Sequence, residues 1–186
     1  MIKLAILASH NGSGFEALYN ASKAKELDIQ IAVIISNNTN AEILNKAKLY
    51  KIDNFLVNQK LYDDVDTKIE QILQEYQCDY VFLSGYMKKI SPSLSKHFKI
   101  INSHPALLPK YGGAGMYGRF VHGAVIQNKE KVSGVTIHEV NENYDEGKII
   151  LQKSIDLEEN ETVDSLESKV KNLEQKAIVE AFKKLL

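Results

Sequence analysis

This sequence predicts an α/β fold built around a mostly parallel sheet, on three observations. Short continuous apolar runs recur, as in Leu4-Ala5-Ile6-Leu7-Ala8, at 31–35 and at 80–83, and runs with no alternating polar face belong to strands covered on both sides. Between them lie stretches with apolar residues at helical spacing, such as Ile69, Ile72 and Leu73, so strand and helix alternate as in βαβ units. The first apolar run also ends in His10-Asn11-Gly12-Ser13-Gly14, the small polar residues a tight strand-to-helix turn requires.

Taken in order, residues 4–8 are the first strand, after which Phe15, Leu18 and Tyr19 recur at helical spacing. A second strand at 31–35, a helix at 41–50 started near Asn40 and a short third strand at 54–57 follow. The stretch 65–76 reads as a helix, and 80–83 and 99–102 read as strands around a short helix at 91–98. Residues 109–118 hold four glycines in ten positions, a flexible loop of the kind that closes over sites. A helix at 120–127 precedes two strands, 134–140 and 148–155, that read as a hairpin around the turn 141–147. Val163, Leu166, Val170, Leu173, Ala177, Ala181 and Leu185 make a long amphipathic helix with Thr162 as its cap. The expectation is a single Rossmann-like domain over residues 1–186, with helices on both faces of the sheet and a C-terminal β-hairpin plus long helix.

At 186 residues and 44% hydrophobic content the chain can bury a sizeable core without disulfides or metals. Its 23 basic and 24 acidic residues are spread throughout, so no basic stripe suggests nucleic acid; small-molecule partners are expected instead. The apolar start is short and runs into a turn, which fits a strand rather than a signal peptide or membrane span, and a cytoplasmic protein is expected. Cys78 is the only cysteine, which excludes an internal disulfide. No Cys/His spacing suggests a zinc site, and the thiol is read as an inert packing residue at a helix end.

The most informative feature is Asn102-Ser103-His104-Pro105, closing an apolar run and answered by Asp145 some forty positions on. In a strand Asn102 and His104 point the same way, and Pro105 keeps His104 out of the helical conformation at the carboxyl end of the strand, where ligands of open α/β sheets bind. An Asn amide can donate to a developing oxyanion, a His can move protons near neutrality, and an Asp can orient and charge that His. This trio has the makings of an acyl-transfer site. Asn11, Gly12, Ser13 and Gly14 form a second candidate, where backbone N–H groups at a helix start favour a phosphate. The lysine of a Walker motif and the spacing of a dinucleotide fingerprint are both missing, which points to a monophosphate; a plain βα turn is the alternative.

With Asn102-x-His104-Pro105, Leu107-Leu108-Pro109-Lys110-Tyr111, Gly134-Val135-Thr136-Ile137-His138 and Asp145-Glu146-Gly147-Lys148-Ile149-Ile150 in order, the chain resembles the folate-dependent formyltransferases over nearly its whole length. Within them, the turn at Asn11-Gly12-Ser13 and the length resemble the branch that formylates glycinamide ribonucleotide in purine synthesis. That resemblance implies 10-formyltetrahydrofolate as co-substrate, no metal, no nucleic-acid or membrane partner, and a monomer or homodimer. It implies that Asn102 and a protonated His104 steady the tetrahedral oxyanion while Asp145 sustains the His charge, as a neighbouring carboxylate should. It further implies folate contacts from Tyr86, Met87, Lys88, Lys89 and Ile90 and from the turn Asn141, Glu142, Asn143 and Tyr144, and substrate contacts from Pro105 and Glu174. Lys88 stands where an arginine is more usual, and Gly14 where an asparagine is common. Glu174 also reads as an exposed helix carboxylate, Arg119 as a surface residue at a helix start, and His138 as structural. Related reactions share the chemistry: another amine acceptor such as an aminosugar phosphate, methionyl-tRNA formylation, or formyltetrahydrofolate hydrolysis. The length disfavours the last two, whose enzymes carry an additional domain. A non-enzymatic nucleotide-binding sensor is the reading from a different class.

Overall fold

The computed structural model describes residues 1–186, which form two compact units, Met1–Ile101 and Asn102–Leu186. The first contains β1 (Ile2–Ala8), α1 (Ser13–Lys23), β2 (Ile29–Ser36), α2 (Glu42–Leu49), β3 (Asn54–Leu56), α3 (Val65–Glu75), β4 (Tyr80–Leu83) and α4 (Pro92–His97). β1 pairs in parallel with β2 and β4, and β2 in parallel with β3. Leu4, Ala5, Ile6, Leu7 and Ala8 are all buried, which is why that run carries no polar alternation. Asp64 caps α3 by accepting the Thr67 N–H at 2.9 Å, and Ser91 caps α4 with Pro92 in its first turn. At α2 the cap is Ala41 rather than Asn40, because Asn38 makes the turn: its carbonyl accepts Ala41 N–H and its side chain accepts Asn40 N–H, each at 3.1 Å. Cys78 ends α3 as expected, its N–H on the Leu73 carbonyl at 2.9 Å. Burial pushes its thiol up to about 11, where it is no nucleophile near neutrality.

β5 (Lys99–His104) begins at the end of the first unit and runs into the second, which continues with α5 (Arg119–Gln127), β6 (Val132–Glu139), β7 (Ile149–Asp156) and α6 (Val163–Leu185). The seven strands stand in the order β3-β2-β1-β4-β5-β6-β7, the mostly parallel α/β sheet that the sequence predicts. β5 extends two residues beyond the predicted strand, so Asn102, Ser103 and His104 all have strand geometry. β6 and β7 form the antiparallel hairpin, and α6 packs against β6, β7 and α5. Thr162 caps α6 reciprocally: its hydroxyl accepts Ser165 N–H at 3.2 Å, and its own N–H reaches the Ser165 hydroxyl at 3.0 Å. No helix is long and apolar enough to cross a membrane.

His122, on the buried face of α5, is 2% exposed and its Nδ1 has no hydrogen-bond partner. Burial pushes this imidazole below its ordinary value of 6.5, with Lys171, Arg119 and His104 acting the same way and Glu167 opposing. A His buried neutral binds fewer protons than it does unfolded, so its stabilising contribution is present above the unfolded value and lost as pH falls through the folded one. The denaturant midpoint should therefore fall between about pH 7.5 and about pH 5.5, and His122→Gln should flatten part of that fall. A midpoint that holds or rises on acidification would contradict the assignment.

Candidate active site

The candidate residues of the second unit meet around the end of β5. Side chains alternate along a strand, and they do so here: Asn102 faces His138 of β6, whereas Ser103 faces Glu174 of α6. His104 is 3% exposed, and each ring nitrogen has a polar neighbour. Nε2 donates to the Tyr111 carbonyl at 2.7 Å, and Nδ1 lies 3.5 Å from Asp145 Oδ2. Asp145 holds a left-handed backbone, φ 57°, in the turn between β6 and β7. The same Oδ2 accepts the Gly113 N–H at 2.9 Å, and Oδ1 stands 3.5 Å from His138 Nε2. Gly147, two residues on, makes this turn possible, since a Cβ there would lie 1.7 Å from the Glu139 carbonyl oxygen.

The sequence reading of His138 as purely structural missed its position in this constellation. Its Nδ1 is 2.8 Å from the Glu139 carbonyl, which can only accept, so Nδ1 carries a proton. In the neutral ring Nε2 then accepts from Asn102 Nδ2 at 3.2 Å, which fixes which way the amide points. An amide nitrogen carries two protons, so one is left to meet an oxyanion. Thr136, two residues before His138 and fully buried, braces the neighbouring segment: its hydroxyl donates to the Ala106 carbonyl at 2.7 Å and accepts Leu108 N–H at 3.0 Å and Gln152 Nε2 at 2.9 Å.

Two opposed pKa shifts follow. Burial pushes His104 below its ordinary value, and the pull of Asp145 and the Tyr111 carbonyl in the other direction does not cancel it; His138 adds to the lowering. The resting imidazole is therefore neutral near pH 7. The carboxylate acts in the expected direction, but at rest desolvation outweighs it. Burial would raise Asp145, yet its contacts with His138, His104 and the Gly113 N–H together hold it below the usual carboxylate range.

On the other side of β5, Ser103 Oγ donates to Glu174 Oε1 at 2.5 Å. Burial pushes Glu174 above the usual carboxylate range, against the opposing Ser103 hydroxyl and Lys171, so it is not the exposed helix carboxylate of the alternative reading. Pro105 follows His104 half-buried. Arg119 ion-pairs with Asp164 and, at 3.1 Å, with Glu167, the role of a surface residue at a helix start. The turn Asn141, Glu142, Asn143 and Tyr144 is exposed, with Asn143 N–H on Asn141 Oδ1 at 2.9 Å.

In the first unit Gly12 caps α1 with φ 63°, the left-handed conformation that favours glycine, and a Cβ there would lie 2.1 Å from Ile43 Cδ1 and displace that side chain. Gly14 N–H, which the sequence placed among the phosphate donors, is taken by Ser84 Oγ at 3.0 Å, and Phe15 N–H reaches the same oxygen at 3.2 Å. Asn11 is exposed and Ser13 half-buried beside them. Of the folate-contact candidates in this unit, Met87, Lys88 and Lys89 are exposed, whereas Ile90 is buried. Met87 N–H is anchored on Ser9 Oγ at 2.7 Å. Tyr86 is half-buried, and burial, with Asp66 adding, pushes its phenol up to about 12.

The formyl transferase family matches residues 2–182. The phosphoribosylglycinamide formyltransferase of Bacillus subtilis (strain 168) is 32% identical, over 100% of this chain and 95% of its own length. That of Haemophilus influenzae is 32% identical over 94% of this chain and 82% of its own length. Among solved structures, phosphoribosylglycinamide formyltransferase from Bacillus halodurans superposes with a TM-score of 0.90 at 32% identity, covering 99% of this chain and 95% of that one. Glycinamide ribonucleotide transformylase 1 from Geobacillus kaustophilus gives 0.91 at 28% identity, covering 100% and 99%. A match of this extent, in sequence and in fold, means that this chain belongs to the formyl transferase family.

Proposed function

We propose that the chain transfers the formyl group of 10-formyltetrahydrofolate to the amine of glycinamide ribonucleotide, a step of purine synthesis. The observation that carries this reading is the enclosed set of Asn102, His104 and Asp145, in a chain similar end to end to relatives of that name. The proposed setting is cytoplasmic, with small molecules as the only substrates and no metal.

In the reaction the amine nitrogen bonds to the formyl carbon, the bond from that carbon to the folate nitrogen breaks, and an amine proton ends on the leaving nitrogen. Asn102 donates its remaining amide N–H to the formyl oxygen as that oxygen becomes anionic, which typically contributes about 3 to 4 kcal/mol to the transition state. His104 rests neutral with its proton on Nε2, held by the Tyr111 carbonyl, and accepts on Nδ1 the proton that the attacking amine sheds. The imidazolium so formed faces Asp145, which stabilises it until the proton passes to the folate nitrogen. Burial keeps the base ready, and the carboxylate keeps the conjugate acid within reach. Glu174, held by Ser103, is the proposed contact for the glycinamide end, next to Pro105. The phosphate is assigned to Asn11 and to the N–H groups of Gly12 and Ser13, at the positive end of the α1 dipole; Gly14 contributes space rather than its N–H. Formylfolate is assigned to Tyr86, Met87, Lys88 and Lys89 and to the turn 141–144, with Ile90 as packing support. Lys88 supplies a point charge where a guanidinium would supply a fork.

Absorbance-monitored deformylation of 10-formyltetrahydrofolate tests the reaction. Turnover that depends on glycinamide ribonucleotide is expected; formate released without an acceptor would instead mean a hydrolase, and silence in both would remove the proposal. His104→Ala and Asp145→Ala should each lower kcat by about 10²- to 10⁴-fold, the range of positioned proton transfer, with circular dichroism unchanged; near-normal turnover in either would sink the mechanism. Ser13→Asp places a carboxylate in the anion turn and should weaken glycinamide ribonucleotide far more than folate by calorimetry. Equal affinity for the nucleotide would remove the phosphate assignment.

A further inference from the structure

Glu130 lies outside the constellation just described and outside every motif that the sequence brings forward, yet it anchors the segment on which both His104 and Asp145 depend. It follows α5, where Lys129 takes a left-handed backbone, φ 50°, and Glu130 N–H turns back to the Val125 carbonyl at 3.2 Å. Glu130 Oε1 accepts the Tyr111 hydroxyl and the Lys110 ammonium, each at 2.9 Å. Those two donors hold the carboxyl below its usual range, so the bond from Tyr111 is made to a charged acceptor, the stronger kind. Lys110 is largely exposed, and an ion pair in that setting contributes little.

Tyr111 is held at three points. Its ring packs against the cluster of Val125, Leu166 and Val170, its hydroxyl is on Glu130, and its backbone is left-handed, φ 57°. That conformation is costly for an L-residue and persists only where the surroundings over-determine it. The outcome is that the Tyr111 carbonyl meets His104 Nε2 at 2.7 Å, while two residues on the Gly113 N–H meets Asp145 Oδ2 at 2.9 Å. One short segment therefore grips the imidazole and its carboxylate together.

We infer that Tyr111 and Glu130 are positioning residues for formyl transfer: the Glu130 carboxylate, acting through the Tyr111 hydroxyl, sets the carbonyl that orients the His104 ring and thereby the rate of the chemical step. This rests on the role given to His104 above. A reacting group displaced by about 1 Å can lose on the order of 100-fold in rate even when substrates still bind.

The test compares kcat, KM and the pH–rate profile of Tyr111→Phe, Glu130→Ala and Glu130→Gln with wild type, with His104→Ala in the same assay and thermal melts of each. Tyr111→Phe and Glu130→Ala should lower kcat by about 10- to 100-fold with KM for both substrates unchanged. The limb of the profile belonging to His104 should move to lower pH, because a loosened carbonyl no longer raises that group. Glu130→Gln keeps an acceptor oxygen for the hydroxyl and should recover most of the rate. Lower melting temperatures with kcat and profile unchanged would make the pair merely structural and overturn the inference, as would failure of Glu130→Gln to recover more than Glu130→Ala. If His104→Ala itself turned over normally, the underlying reading would fall; if it were inactive while Tyr111→Phe was normal, only this inference would.

Discussion

The carboxylate of Asp145 is the feature on which the rest of this site depends. It is an ion largely removed from water, and such a group persists only where donors replace the hydration it has lost. The Gly113 N–H donates to it directly, and the His104 and His138 rings stand 3.5 Å from its two oxygens. Each constrains its own neighbourhood. Gly113 belongs to the segment anchored by Tyr111, His104 ends β5, and His138 lies near the end of β6 and in turn orients Asn102. The left-handed backbone at Asp145 and the enforced glycine at 147 are the local cost of bringing that carboxylate to this point.

The arrangement leaves His104 with opposing influences. Desolvation favours the neutral ring and the carboxylate favours the charged one, and in the resting structure desolvation wins. A base that is neutral at rest but has a carboxylate beside it is suited to taking a proton transiently and giving it back. The same burial makes folding sensitive to acid, since the unfolded chain gains protons that His104 and His122 resist. The acid sensitivity of folding and the resting neutrality of His104 therefore share one cause, burial.

Much of the fold is legible in the sequence because buried parallel strands and amphipathic helices leave direct periodic traces. Leu4 to Ala8 reads as a covered strand, and Thr162 reads as a cap from its place before Val163. The predicted β5 stops short at Asn102 because Ser103 and His104 are polar; nothing local says that each has a partner far along the chain. The sequence starts α2 near Asn40, but Asn38 makes the turn and Ala41 is the cap. In the site, the Asn102, His104 and Asp145 trio was legible through its motif. His138 was not, since its partners Asn102 and Asp145 are brought to it by the pairing of β6 and by the turn that follows. Glu174 gave no sign of being enclosed, because a single helix carboxylate looks alike whether it faces water or a serine on a neighbouring strand. That the Gly14 N–H is taken is equally invisible locally, because Ser84, which accepts it, sits at the end of a different strand.

Titration of His104 by ¹⁵N-edited NMR, in the wild-type chain and in Asp145→Asn, bears most directly on the balance between burial and the carboxylate. His104 should titrate below the ordinary histidine value of 6.5 in the wild type and lower still once the Asp145 charge is removed. A wild-type His104 titrating above that value would mean that the carboxylate outweighs burial, and one unmoved by the substitution would mean that the carboxylate does not act on the ring; either result contradicts the account.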